Sequence, residues 1–443
     1  MMGVQLSALT GEMPAGVGEA LEVVSGFDGV LVHGLARLGE EQVAALTGLA
    51  SAMAGTPLGE RALEAAEKIV AGSVTDEHLV ALAGARSALL GAIHDALLAH
   101  LDTSLTRTRS PWDAGSAAQA GFGGRAGAAA WLREVAIAGW RGVDHDLVTA
   151  ADQTIEALLG DPGARRMAVL LDGLAAELRA SAPVATMAEI PERRWGDLWA
   201  RAVLLTHATT SSAGAGGESV SGRLLVLGVD VHEHATAVQV QVHGILEPGG
   251  RVVRASVAAA KVDTIAGPAV WSLLGGYPVL LGALAGHLAI EIEGMTLLPG
   301  GDLVWDEAAA KAGDPADPFA TARVRLAEAT APAVAPLERH PVRIAEPVLV
   351  EGYKVKDGVL HLDGHELALD LDRLPAAGPL TPKLVTASTA CIGLLRWDAG
   401  WRLQPLAVQG KSKAAHNGDL ALQAAKGDAV AVLKERAGRL LRR

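Results

Sequence analysis

The chain has 443 residues, of which 50% are hydrophobic, 20% charged and only 3% aromatic, with a formal net charge of -12. That length accommodates about two or three domains, each with its own core; the acidic balance argues against nucleic-acid binding, because a negative body repels phosphate. The lone cysteine, Cys391, excludes an internal disulfide framework and every multi-cysteine metal site, and in TASTACIGLL it reads as a small buried hydrophobe.

The first twenty residues have neither a basic n-region nor an apolar h-region, so no secretory signal is expected and a cytoplasmic location follows. Residues 1–208 read as a helical domain. Thr56 with Pro57 supplies a capping residue and a favoured first position for a helix to about Val70, and Thr75 caps DEHLVALAGARSALLGAIHDALLAH, with acids in its first turn. Asp161 with Pro162 repeats the device before GARRMAVLLDGLAAELRAS. Between these helices, residues 107–130 form a Gly, Ala and Ser-rich exposed connection that contains Arg107, Arg109 and Trp112.

The stretch PERRWGDLWARAVLLTHATT, 191–210, forms an amphipathic helix. At about 100° per residue, Arg193, Asp197 and Arg201 share one charged face at i, i+4 spacing, while Trp195 and Trp199 lie nearly opposite, with Leu198, Ala202 and Thr206. Trp195 and Trp199 are therefore packing anchors with a charged ladder behind them. Arg193, Arg201 and both indoles are the candidate interaction residues of this half. The segment Arg193 to Thr206, RRWGDLWARAVLLT, resembles a family of uncharacterised bacterial proteins encoded beside SWIM zinc-finger proteins, MoxR-type ATPases and von Willebrand A-domain proteins. The resemblance implies a companion in an ATPase-driven assembly or metal-insertion system, and it carries no catalytic residues with it.

After a Ser and Gly-rich linker at 209–222 the hydrophobic period changes to two. RLLVLGVDVH, VQVQVHG and, across the EPGG turn, RVVRASVAAA predict a three-stranded antiparallel meander, and LLPGGDLVW predicts another hairpin. PAVWSLLGGYPVLLGALAGHLAI, 268–290, carries no formal charge; its glycines, Pro278 and His287 favour a buried helix pair over a membrane span. From Pro347, VLVEGYKV, VLHL and HELALDL are short strands separated by the turn signals KDG and DG. In LLRWDAGWRLQPL, Trp397 and Trp401 flank an Asp-Ala-Gly loop in which Gly400 is placed for the left-handed position, and the two rings can meet across the strands. A helix from about Asp419 to Leu441, basic at its end, closes the chain.

The cluster Asp230, His232 and His234, with His243 downstream, has ligand types suited to zinc or iron. A tight hairpin centred near residues 234 and 235 sets Asp230 opposite Gln239 and His243 near Val226, a poor geometry for a shared ion. GKS at 410–412 lacks the first glycine of a phosphate-binding loop, since Pro405 stands there. The pairs His94 with Asp95, His145 between two aspartates, and His361 with His365 form no metal motif.

The expected architecture is α+β: a helical domain at 1–208, an antiparallel β meander with buried apolar helices at 220–345, and a small β domain with a C-terminal helix at 346–443. The expected function is a non-enzymatic adaptor or scaffold of a bacterial multi-protein system. It has no catalytic residues, metal or cofactor, and its partners are proteins such as a MoxR-type ATPase or a von Willebrand A-domain protein, with neither nucleic acid nor membrane. The alternative is a metal-dependent enzyme using Asp230, His232 and His234. Candidate anchors are Trp195, Trp199, Arg193, Arg201, Trp397 and Trp401.

Overall fold

The computed structural model describes residues 1–112, 125–161, 164–207, 216–234, 236–262, 264–410 and 414–422. The middle of the expected 107–130 connection, Asp161's partner Pro162, residues 209–215 of the expected linker, Lys411 and Ser412, and the terminal helix beyond Leu422 lie outside the described residues. The chain is α+β, with helices in its N-terminal half and strands dominating its C-terminal half.

In chain order the helices of the first half are α1 (Gly3–Thr10), α2 (Val17–His33), α3 (Glu40–Ala52), α4 (Gly59–Val70), α5 (Asp76–Leu105), α6 (Arg125–Ala138), α7 (His145–Thr149), α8 (Asp152–Leu159), α9 (Arg165–Ser181) and α10 (Glu192–His207). Helix α5 begins as its sequence dictates: the Thr75 hydroxyl accepts the His78 N–H at 3.4 Å, and Asp76 and Glu77 occupy the positive end of the dipole. Helix α4 starts two residues after Pro57. The Thr56 hydroxyl donates to the Met53 carbonyl at 2.8 Å and accepts from Leu58 N–H, so it closes a separate turn first.

Residues 14–96 and 125–207 form a helical unit, and residues 1–13, 97–112 and 216–422 form a second unit that carries every described strand. The grouping differs from the expected 1–208, 220–345 and 346–443. Helix α1 and the end of α5 count with the strands, and the two β regions share one unit. Inside the helical unit Arg86 of α5 and Asp28 of α2 are both buried and meet in a two-pronged pair, Nε to Oδ1 at 2.7 Å and Nη2 to Oδ2 at 3.0 Å.

The first β region contains β1 (Glu218–Glu233), β2 (Ala237–Glu247), β3 (Arg251–Ala260), β4 (Leu288–Leu297), β5 (Asp302–Val304) and β6 (Ala310–Pro315), with α11 (Pro278–Gly286) before β4 and α12 (Pro318–Thr321) after β6. The meander β1, β2, β3 has the expected turn, and β1 extends into the expected linker because Glu218 to Leu224 pair with β4. Since β1 pairs with both β2 and β4, and β3 runs parallel to β5, which pairs with β4, the strands close into a ring of order β1-β2-β3-β5-β4. Val229, Val240, Val242, Val257 and Ile290 fill it. The uncharged 268–290 segment is a 3-10 turn over Gly267–Leu274, then α11 and the start of β4, and its Trp271, Leu274, Leu280 and Leu284 plug the same core. Among the described residues the helix long and apolar enough to cross a membrane is α5, half of whose apolar window is buried.

The second β region contains β7 (Ala345–Glu351), β8 (Lys354–Lys356), β9 (Val359–Leu362), β10 (His365–Leu369), α13 (Pro382–Thr386), β11 (Ala390–Trp397), β12 (Trp401–Gln409) and β13 (Ala415–His416). Both Asp-Gly hairpins have positive φ at both central residues, 51° and 77° at Asp357 and Gly358, 51° and 86° at Asp363 and Gly364, which is why Asp and Gly stand there. Strands β7 and β8 are two halves of one bent strand interrupted at Gly352 and Tyr353. Joined, they give the order β7/8-β9-β10-β12-β11, with β10 parallel to β12 and β7 antiparallel to β11. The two barrels thus repeat one connectivity: a long first strand, two hairpin strands, a helical crossover, then a final hairpin. It is the strand order of the five-stranded Greek-key barrel called the OB-fold.

Candidate functional site

Strand alternation places Val240, Val242 and Leu246 inside the first barrel and leaves Leu227, Asp230, His243, Ile245, Val252 and Arg254 on its outer face. The apolar members pack with Phe319, Leu326, Leu349, Ile392 and Ala407, so the outer faces of the two barrels meet. At Gly228 the approach is closest: a Cβ there would lie 2.6 Å from Leu406 Cβ.

The polar members form a buried seam. Asp230 Oδ1 accepts from Gln404 Nε2 at 2.8 Å, and its Oδ2 accepts from Arg396 Nη2 at 3.0 Å and lies 3.1 Å from His232 Nε2; Arg396 Nε also donates to Gln404. Burial alone raises the Asp230 carboxyl, but the hydrogen bond and charge of His232 and the charge of Arg396 outweigh it and hold the group at about 2. Next to it, His243 is fully buried, and neither ring nitrogen has a hydrogen-bond partner among the described residues. Burial pushes its pKa down to about 3, assisted by Arg254 and Arg396 and opposed by Asp230, so the ring is neutral. Further along, Glu346 accepts from Arg107 at 2.9 Å and Arg109 at 3.1 Å, and Arg109 also grips Asp102 through two bonds of 2.7 and 2.9 Å. Burial works against the Glu346 charge, yet the two guanidinium groups bring it down to about 2.

The metal expectation at Asp230, His232 and His234 is not met by this geometry. The β1–β2 turn sits further along the chain than expected, so that Asp230 faces Gln241, His232 faces Gln239 and His243 faces Gly228, and the bulge between Val226 and Gly228 comes only after these pairs. The carboxylate oxygens are taken up by the second barrel, and His234 is exposed, its backbone N–H bonded to Ala237 O. Among the described residues the side chains close enough to share an ion are His287, His416 and Asp419. His287 Nε2 lies 2.8 Å from Asp419 Oδ1, and His416 Nε2 lies 3.3 Å from the same oxygen. However, His416 Nδ1 accepts the Gly418 N–H at 2.9 Å, so its proton sits on Nε2 and points to the Leu284 carbonyl at 3.0 Å. With that lone pair absent, the trio reads as a hydrogen-bonded latch. Burial lowers the His416 pKa to about 4, against the pull of Asp419.

The anchor residues are placed as follows. Trp195 and Trp199 are buried; Trp195 meets Trp140 edge-on at 5.7 Å and donates to Glu177 Oε2 at 3.1 Å, and Trp199 donates to Leu132 O at 3.0 Å. All these partners belong to the helical unit. Behind them Arg201 reaches Asp197 at 3.2 Å, whereas Arg193 donates to Ser25 Oγ at 2.9 Å, and the half-buried Asp197 also lies 3.8 Å from the buried Arg86, so the ladder is only partly solvated. Trp397 and Trp401 pair across their hairpin at 5.3 Å, and the left-handed residue is Ala399, with φ 53°, in place of the expected Gly400. Cys391 is buried beside Tyr353, and burial lifts its thiol to about 12, which leaves it unreactive.

Sequence reading missed Glu346, Arg396 and Gln404 as partners of Asp230 and of Arg107 and Arg109. The available signal was the alternation of Arg107 and Arg109 and an Arg inside an otherwise apolar strand, but nothing local tells either which carboxylate it meets. A groove of about 670 Å³ lies at the β2–β3 turn, where Glu247 binds Arg223 at 2.7 Å and Arg325 at 3.0 Å, and Asp230, His243 and Glu346 are not among its lining residues. A test of the seam is Gly228→Ala: overpacking against Leu406 is expected to cost about 1–3 kcal/mol, read as a lower urea midpoint and recovered in part by Leu406→Ala. No protein-family model matches the chain, and neither a curated protein nor a solved structure matches it.

Proposed function

We propose that the protein is a non-enzymatic adaptor or scaffold of a bacterial multi-protein system, working in the cytoplasm, with the paired barrels as its fixed platform. The observation that carries this reading is the state of Asp230. The carboxylate with the best chemical prospects in the sequence spends both oxygens on Arg396, Gln404 and His232, joining one barrel to the other. A group held this way is a poor metal ligand or base and a good structural rivet. The resemblance of Arg193 to Thr206 to proteins encoded beside MoxR-type ATPases and von Willebrand A-domain proteins supplies the partner class. Affinity purification of the tagged full chain from its own cytosol is expected to retain one of these neighbours in stoichiometric amount. Elution alone, with turnover of a substrate or with a bound metal that is lost in His232→Ala, overturns the proposal.

A further inference from the structure

The outer face of the first barrel meets the second barrel, while the end of the first barrel at the β2–β3 turn is open as the groove of about 670 Å³. Strand pairing sets the charged groups along it. Arg223 of β1 stands opposite Glu247 of β2 on one side and Glu291 of β4 on the other, and because Leu224, Leu246 and Ile292 belong to the core, these three side chains point out. The segment after α12 adds Arg325 and Glu328 to the lining.

The charges are unevenly satisfied. Glu247 is 17% exposed and lies beneath two guanidinium groups that are 43% and 52% exposed, Arg223 and Arg325, each joined to it through Nη2. A guanidinium carries several N–H donors in a planar fork, so most donors of both arginines stay uncommitted while the shared carboxylate fixes where they sit. Glu291 and Glu328 are exposed and among the described residues have no ion pair, although Arg223 and Lys311 stand opposite Glu291 on the flanking strands. Glu247, Glu291 and Glu328 outnumber Arg223 and Arg325, so a plain anion such as phosphate is repelled, and a plain cation meets the guanidinium groups. A molecule with a carboxylate at one end and an ammonium at the other satisfies both sets. At Gly250, with φ 61°, the space that a side chain would take is open, so the turn offers bare backbone beside the charges.

We propose that this groove binds a short zwitterionic peptide, its C-terminal carboxylate on Arg223 and Arg325 and its N-terminal ammonium on Glu291 and Glu328. The length follows from the sheet. From Glu247, where the two guanidinium groups meet, to Glu291 is two strand spacings, about 10 Å, and about three extended residues cover that distance. A free amino acid is too short to reach both ends. The groove volume falls in the range of sites for ligands of this size, about 300–1,000 Å³. The site is separate from the partner contacts of the adaptor reading and stands or falls without them.

The test is isothermal titration calorimetry of the full chain with trialanine at neutral pH and two temperatures, beside N-acetyl-trialanine, which lacks the ammonium, and trialanine amide, which lacks the carboxylate. Trialanine is expected to bind with a dissociation constant below about 1 mM, in keeping with its size, and each blocked peptide about tenfold more weakly. In Glu291→Gln acetylation should cost much less affinity while amidation costs the same, and in Arg325→Gln the pattern should reverse. Both residues are exposed, and thermal melting checks that each variant is folded. The proposal is overturned if trialanine gives no heat up to about 10 mM, if either blocked peptide binds as tightly as trialanine, if the variants keep the parent's discrimination, or if inorganic phosphate displaces trialanine.

Discussion

Replacing Arg86 by methionine is expected to remove about 3–5 kcal/mol from the helical unit, because it strands the Asp28 carboxylate in an interior without its cation. Asp28 is only 1% exposed, and burial already raises its pKa against the pull of Arg86. The same guanidinium donates to the Arg193 carbonyl at 3.2 Å at the start of α10, so its removal also leaves that carbonyl without this donor. Urea unfolding followed by indole fluorescence reports the loss, since Trp140, Trp195 and Trp199 all lie in this unit. Combining Arg86→Met with Asp28→Leu should recover most of it, because an apolar pair of similar volume avoids the desolvation of both charges. A single variant as stable as the parent would contradict the account.

Acid is expected to weaken the barrel unit well above the range in which carboxylates titrate. His243 and His416 have folded pKa values of about 3 and about 4, against 6.5 for the unfolded chain, with burial as the leading cause in both. Above pH 6.5 both rings are neutral whether folded or not, and the full stability is present. As the pH falls below 6.5 the unfolded chain takes up protons that the folded rings refuse, so stability drops by up to about 1.4 kcal/mol per pH unit for each histidine. By pH 5 the two together amount to about 4 kcal/mol. Asp230 and Glu346, both held at about 2, add their own loss only as the pH falls through the ordinary carboxylate range toward 2. Urea midpoints at neutral pH and near pH 5 measure the drop, and His243→Leu should remove about half of it. A drop of unchanged size in that variant would assign the protons elsewhere.

Local signals in the chain predicted local structure well. The i, i+4 spacing of α10 placed its indoles in a core, the period of two in VQVQVHG gave the meander, and the Asp-Gly pairs gave both tight hairpins, since each of these outcomes depends on a few neighbouring residues. Ring closure was not legible. It depends on β4 returning to β1 and on β3 lying parallel to β5, contacts between segments dozens of residues apart that carry no mutual mark in the sequence. The position of the β1–β2 turn had the same effect on a smaller scale, setting His243 opposite Gly228 and turning a weak metal set into part of an ion-pair seam. Arg107 and Arg109 looked like loop residues because their carboxylate, Glu346, lies more than two hundred positions away. Ala399 in place of Gly400 shows the limit of residue preference in a short loop: the hairpin sets the dihedral, and alanine tolerates it.

The first barrel is finished by residues made much later. Trp271 donates to the Ala377 carbonyl, Asn417 donates to the Val229 carbonyl, His416 is bonded to Leu284, and Ala377 and Ala421 sit in the barrel's own core. The strands β1 to β5 pair among themselves, but their interior is closed only by the downstream segments that hold Ala377 and Ala421. Loosening the segment from Ala377 to Ala421 therefore uncovers the apolar interior of a barrel whose strands lie far upstream, which ties the stability of the two regions together.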